Sequence, residues 1–141
     1  MQFVEAFEHL GYHVEAPRQD WSAENDDGVC ISLWKKEVGT RDGLMWMNTV
    51  VHADPIENWG TKSGNTKRIR HLRRALEEFG GRVDVVIVSG EPGESYGTAQ
   101  PWVAKDGRAD TYWEITEFDG DTGHFEVVLV RQVRTAPTSQ D

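Results

Sequence analysis

The stretch from Trp59 to Gly90, WGTKSGNTKRIRHLRRALEEFGGRVDVVIVSG, constrains the fold more than any other part of the chain. Ile69, Leu72, Leu76 and Phe79 recur at steps of three, four and three, the spacing of one apolar stripe on an amphipathic helix. Gly80-Gly81 stops that helix, because glycine accepts the left-handed conformation that a helix C-terminus asks for. Val83, Val85, Val86, Ile87 and Val88 follow at once. These residues are largely β-branched and the run is too short for a second helix, so it reads as a strand buried on both faces.

The charges of this unit run against the helix dipole. Lys62, Lys67, Arg68, Arg70, Arg73 and Arg74 crowd the approach and first turns, while Glu77 and Glu78 lie near the end. A helix N-terminus preceded by Ser63-Gly64-Asn65 and ringed by cations is suited to hold a phosphate or another anion. The competing explanation is a solvated face in which Arg73–Glu77 and Arg74–Glu78 pair at i,i+4.

The formal charge of −9 opposes nucleic acid until it is divided along the chain. Residues 1–60 hold eleven acids against four bases, residues 61–90 three against seven, and residues 91–141 ten against four. The only cationic block is therefore the helix region. An acidic protein with one basic patch binds a polyanion locally, with weak long-range attraction, so specific contacts have to carry more of the affinity.

A length of 141 residues predicts one domain, over residues 1–134, followed by a disordered tail at 135–141. No apolar run approaches the length of a membrane span, and the start MQFVEAFEHLGY carries no signal-peptide pattern, so a cytoplasmic location and no membrane partner are expected. Cys30 is the single cysteine and reads as a small buried hydrophobe.

Phe3, Phe7 and Leu10 predict a short amphipathic helix over residues 2–10, closed by Gly11. Tyr12, Val14 and Ala16 alternate as in a short strand, and PRQDWSAENDDG reads as a polar loop. Gly28 to Val38 and Leu44 to Val51 show strand periodicity on either side of the turn GTRDG. SGEPGESYGTAQPW reads as a long loop, and long loops after core strands are often functional. Residues 111–118 and 124–133 read as a hairpin. Two helices with five or six strands, mostly antiparallel, predict an α+β fold: a small bent antiparallel or mixed sheet, or a half-open β-barrel, capped by the two helices.

Metal-ligand spacing is absent among the five histidines, and no Walker loop, GxSxG elbow or CxxC occurs, so neither a metal nor a cofactor is expected. Six tryptophans are unusual in a chain of this length. Trp21, Trp59 and Trp102 fall in predicted loops, where tryptophans commonly stack on bases or planar ligands. A base pocket of Asp20, Trp21, Trp46, Asn48 and Trp59 follows, with Asp20 and Asn48 facing the base edge. The phosphate contacts then fall to Lys62, Ser63, Asn65, Lys67, Arg68, Arg70, Arg73 and Arg74. The plain alternative makes the tryptophans core filler.

GNTKRIRHLRRALEEFGGRVDVVIV, together with the upstream DWSAENDDGVCISLWKKE, resembles bacterial restriction-associated segments and small modules that read modified DNA. In its order of elements the chain is similar to PUA-like and SRA-like pocketed barrels over about residues 18–90. The resemblance implies a domain that flips or cradles a base rather than cutting it. The expected function is thus a non-catalytic nucleic-acid-binding module, with DNA rather than RNA as partner and a base, modified or plain, in an aromatic pocket. Two other readings stay open: a metal-dependent nuclease using Asp26, Asp27, Glu37 or Asp84, and an acidic module that binds or inhibits a protein partner. Oligomeric state is not legible.

Overall fold

The strand Arg82–Glu91 organises the molecule. A computed structural model describes residues 1–92, 95–103 and 110–131; the expected tail at 135–141 lies outside them. Among the described residues the strands are β1 (Ser22–Asn25), β2 (Gly28–Trp34), β3 (Gly39–Arg41), β4 (Leu44–Asn48), β5 (Arg82–Glu91), β6 (Ser95–Pro101), β7 (Thr111–Phe118) and β8 (Phe125–Arg131). The helices are α1 (Phe3–His9), the four-residue α2 (Thr49–His52) and α3 (Ser63–Glu78). The fold is α+β: one open mixed sheet in the order β1-β2-β5-β7-β8-β4-β3, with β6 also on β5.

β5 has three neighbours because it is long enough to divide one edge between two of them. On one side Asp84–Val88 run parallel to Cys30–Trp34 of β2. On the other, Arg82 and Val83 pair with β7, and Val86 to Glu91 pair with β6 across a bulge. Its valines are buried on both faces, as a β-branched run without polar alternation requires. Val83 and Val85 join Val29, Ile31 and Leu33 beneath Leu72 and Ala75 of α3. Val86 and Val88 join Cys30 and Ala99 beneath Phe3, Ala6 and Phe7 of α1. The two helices thus cover opposite faces of the same strands.

Several local expectations are corrected. Tyr12 to Ala16 form no strand: Tyr12 N–H bonds back to Phe7 O, and the Tyr12 hydroxyl donates to Asp84 at 2.6 Å, so the segment is a return from α1 that buries Tyr12 and Val14 and leaves His13 and Glu15 exposed. β1 and β6 lie inside segments read as loops. Both sit at edges, where backbone pairing with one neighbour is enough and side-chain alternation carries little signal. The strand from Leu44 stops at Asn48, whose side chain accepts from Val50 N and Val51 N and caps α2. Val50 and Val51 are consequently exposed on a helix.

Helix α3 ends where expected, with Gly80 (φ 63°) and Gly81 (φ 83°) both in the left-handed region. Its inward face is shifted from the predicted stripe. Gly64, Asn65, Arg68, His71, Leu72 and Ala75 are buried, whereas Leu76 is exposed. Each buried polar residue except Arg68 has a bond that explains it: Asn65 donates to Gly60 O and Thr122 O, and His71 Nδ1 meets Ser22 Oγ at 2.7 Å. No helix of the described residues is long and apolar enough to cross a membrane.

Asn65 ties the start of α3 to the β7–β8 turn, where Gly123 has φ 93° and a Cβ would collide with the Asn65 side chain. Gly123→Ala is expected to cost roughly 2–4 kcal/mol in denaturant unfolding, from left-handed strain plus the clash. Gly43→Ala has similar strain (φ 78°) with nothing within 4 Å and should cost only about 1 kcal/mol. Equal losses would show that the clamp does not hold α3 in place.

Candidate functional site

Past the carboxyl ends of the parallel strands β2 and β5 lies a cavity of about 690 Å³. That volume is typical of small-molecule and cofactor pockets, and the ends of parallel strands are a usual place for them. Its walls come from six different places in the chain: Trp21 before β1, Trp34 at the end of β2, Glu37 in the 3-10 turn Lys35–Glu37 that follows, Trp59 before α3, Arg68 within α3 and Tyr96 on β6.

The aromatic walls are held by separate contacts. Gly64 lets α3 lie directly on Trp21, since a Cβ there would sit 2.5 Å from the indole and from Gln19 O. Trp59 donates its indole N–H to Asp54 O at 2.8 Å and takes the edge of His124 at a centroid separation of 5.4 Å. Tyr96 stacks between Phe3 and Trp34, at 4.4 and 5.3 Å.

Arg68 is the anomaly of the site. It is 7% exposed, and its guanidinium lies 4.8 Å from the ring centre of Trp21, 5.6 Å from Trp59 and 4.7 Å from Phe125. Among the described residues it has no carboxylate oxygen within 4.0 Å, and its buried Nε has no hydrogen-bond partner. Burial pulls the group down to about 10, while the charge of Glu37 pushes the other way. It therefore remains a cation at neutral pH. The rings supply cation–π attraction of about 0.5–2 kcal/mol each, but they cannot accept the guanidinium's in-plane N–H bonds.

Glu37 faces the same cavity. Burial, aided by Asp54 and opposed by Arg68, raises its carboxyl to about 7. No described residue hydrogen-bonds to it. Around these two groups lie Arg18, Lys62 and the first turn of α3 at Ser63 and Gly64. Lys62 occupies the N-cap and supplies no side-chain acceptor, so that turn has no side-chain cap.

Of the residues singled out from sequence, the cavity brings together Trp21, Trp59, Lys62, Ser63 and Arg68. The rest lie elsewhere. Asp20 is buried beside it, accepting from Ala16 N and from Lys67, which also reaches Glu15. Trp46 packs on His52 and under Arg41 at 3.9 Å, and Asn48 donates to Glu126. Asn65 is structural, and Arg74 pairs with Glu24 and Glu78. Arg70 and Arg73 are exposed without an ion pair among the described residues.

Trp34, Tyr96 and Glu37 are pocket residues that sequence reasoning placed otherwise. Trp34 lies in a segment that reads from sequence as a strand, and Glu37 among the acids considered for a nuclease; the long glycine-rich segment around Tyr96 is the one sequence signal that points here. The four acids considered for metal-dependent cleavage do not converge. Asp26 and Asp27 sit in the β1–β2 turn, Asp84 accepts from Tyr12, and Glu37 lies beyond the far end of β2, about 20 Å of strand away. Among the described residues no three His, Cys, Asp or Glu side chains form a metal-sized group. Comparison with protein-family models, curated proteins and solved structures finds no match for the chain.

A carboxyl raised from 4.5 to about 7 keeps its proton in the folded state after the unfolded chain has lost it, so the folded state loses stability as pH rises through that window. Glu37→Gln removes the titration. Relative to that variant, the wild type is expected to lose melting temperature between about pH 4.5 and about pH 7, and parallel melting curves across the window would contradict a buried, partnerless Glu37.

Proposed function

We propose that the chain is a nucleic-acid-binding module that takes a base, plain or modified, into its aromatic cavity. The observation that carries this reading is the pairing of flat aromatic walls with a buried guanidinium that has no partner of its own. Planar faces on Trp21, Trp34 and Trp59 suit base stacking, which tolerates any base because each has a π-face, while Tyr96 backs Trp34. Arg18, Lys62 and the uncapped first turn of α3 surround the same opening and suit the phosphates flanking an extruded nucleotide. The exposed Arg70 and Arg73 extend the cationic surface along α3.

Other cations of the helix serve the fold. Lys67 and Arg74 are engaged by Glu15, Asp20, Glu24 and Glu78, which leaves fewer free positive groups than the sequence suggests. Affinity in this reading comes from the cavity more than from the surrounding field, in keeping with the net charge of −9. DNA is the favoured polymer because the base must be presented singly, and a duplex with a weakened pair presents one at small cost. Such a module works in the cytoplasm without a cofactor.

The test is binding of fluorescently labelled DNA, single-stranded and duplex with one mismatched position, followed across salt concentrations. Trp21→Ala and Trp59→Ala should each weaken binding by about 1–3 kcal/mol, the range for loss of one stacking surface. On single strands the log–log salt slope should be shallow, about −0.7 per phosphate contacted for only a few phosphates. Absence of binding at low salt, or binding indifferent to both tryptophans, refutes the proposal.

A further inference from the structure

Glu37 and Arg68 enter the cavity from different elements and attract one another, yet they do not pair. Each is largely buried, at 9% and 7% exposure, and neither makes a hydrogen bond to a described residue. Among the other described residues the buried carboxylates are satisfied: Asp20 by Lys67 and Ala16 N, and Glu126 by Asn48, Thr116 and Arg41. A buried donor left open on Arg68 and a carboxyl on Glu37 that opens on the same aromatic-walled cavity define the missing partner by its chemistry. It is flat, and it offers N–H donors to a carboxylate and lone pairs to a guanidinium.

The four bases differ in how well they meet that demand. Thymine has carbonyl oxygens and one ring N–H but no amino group, and adenine has an amino group but no carbonyl oxygen. Cytosine has both, with only its amino group as donor to a carboxylate. Guanine alone presents two adjacent donors, N1–H and the N2 amino group, which fit the two oxygens of a carboxylate. On its neighbouring edge it presents two adjacent acceptors, O6 and N7, which fit the fork of an arginine.

We infer that the cavity selects guanine, with Glu37 holding the N1–H and N2 amino edge and Arg68 holding O6 and N7, while Trp21, Trp34 and Trp59 provide the stacking surfaces. The inference rests on the base-binding reading and names the base. A substituent elsewhere on the ring is compatible with it, whereas loss of the N2 amino group or of N7 is not. Arg68 in this role is a recognition residue, distinct from the phosphate contacts at Arg18 and Lys62.

The experiment uses the full chain and single-stranded oligonucleotides of equal length that carry one base among abasic positions, with affinity read from tryptophan fluorescence and calorimetry. The guanine oligonucleotide should bind roughly ten-fold or more tightly than the adenine, cytosine or thymine ones, the scale of one good bidentate contact. Hypoxanthine, which lacks the N2 amino group, and 7-deazaguanine, which lacks N7, should each weaken binding several-fold on the unaltered protein, so this arm does not depend on a variant folding. Glu37→Gln should remove the penalty for hypoxanthine while leaving that for 7-deazaguanine. Arg68→Lys should do the converse.

Equal affinity for the four bases, preference for a base other than guanine, or indifference to both analogues overturns the guanine assignment and leaves base binding intact. Failure of every oligonucleotide to bind overturns both.

Discussion

An arginine enclosed by Trp21, Trp59 and Phe125, without a carboxylate to neutralise it, is the constraint around which the rest of this structure is arranged. Removing a guanidinium from water costs several kcal/mol, and attraction to aromatic faces returns only part of that. The position of Arg68 is imposed from both sides along α3. Gly64 and Asn65 fix the helix start against Trp21 and the β7–β8 turn, while His71, Leu72 and Ala75 anchor the following turns on the sheet. Between those anchors residue 68 must point inward. An alanine or leucine there would sit comfortably against three aromatic rings, so the presence of an arginine is a departure from what the fold alone requires.

Acidity and cation-rich helix are reconciled by the way the charges pair. Lys67 and Arg74 bridge α3 to the segments before and within β1 through Glu15, Asp20 and Glu24. The exposed members of these pairs are worth little individually, about 0–1 kcal/mol. Their effect is to fasten the helix to the β1 side of the sheet. Of the described cations outside these pairs, Arg18 and Lys62 line the cavity and Arg70 and Arg73 are exposed along α3.

Periodicity made α3 with its glycine stop, β2, β5 and the β7–β8 hairpin legible before any coordinates, because in each the burial pattern follows from side chains within one segment. β1 and β6 escaped for the opposite reason: they are edge strands defined by backbone pairing to β2 and β5, and their own residues are polar or small. The phase of α3 was misjudged because Asn65, Arg68 and His71 face inward, and their partners lie at Gly60, Thr122 and Ser22 or, for Arg68, nowhere in the described chain. The candidate site was half legible for a related reason. Trp21 and Trp59 stood out as large aromatics in polar surroundings, whereas Trp34, Tyr96 and Glu37 become neighbours only through the parallel pairing of β2 with β5 and the return of β6. Long-range strand pairing leaves no mark in a single sequence that would bring residues 37, 68 and 96 together.

The proposed function makes Arg68 a residue kept for a ligand at a cost to the empty protein. The most direct measurement compares wild type with Arg68→Met, an uncharged side chain of similar length, in denaturant unfolding without nucleic acid and in oligonucleotide binding. The expected result is a variant of equal or greater stability, by up to about 1–4 kcal/mol as when buried charges give way to apolar groups, that has lost its affinity. A variant destabilised by more than about 2 kcal/mol, the loss expected when an interaction the fold depends on is removed, or one that binds as well as wild type, would contradict it.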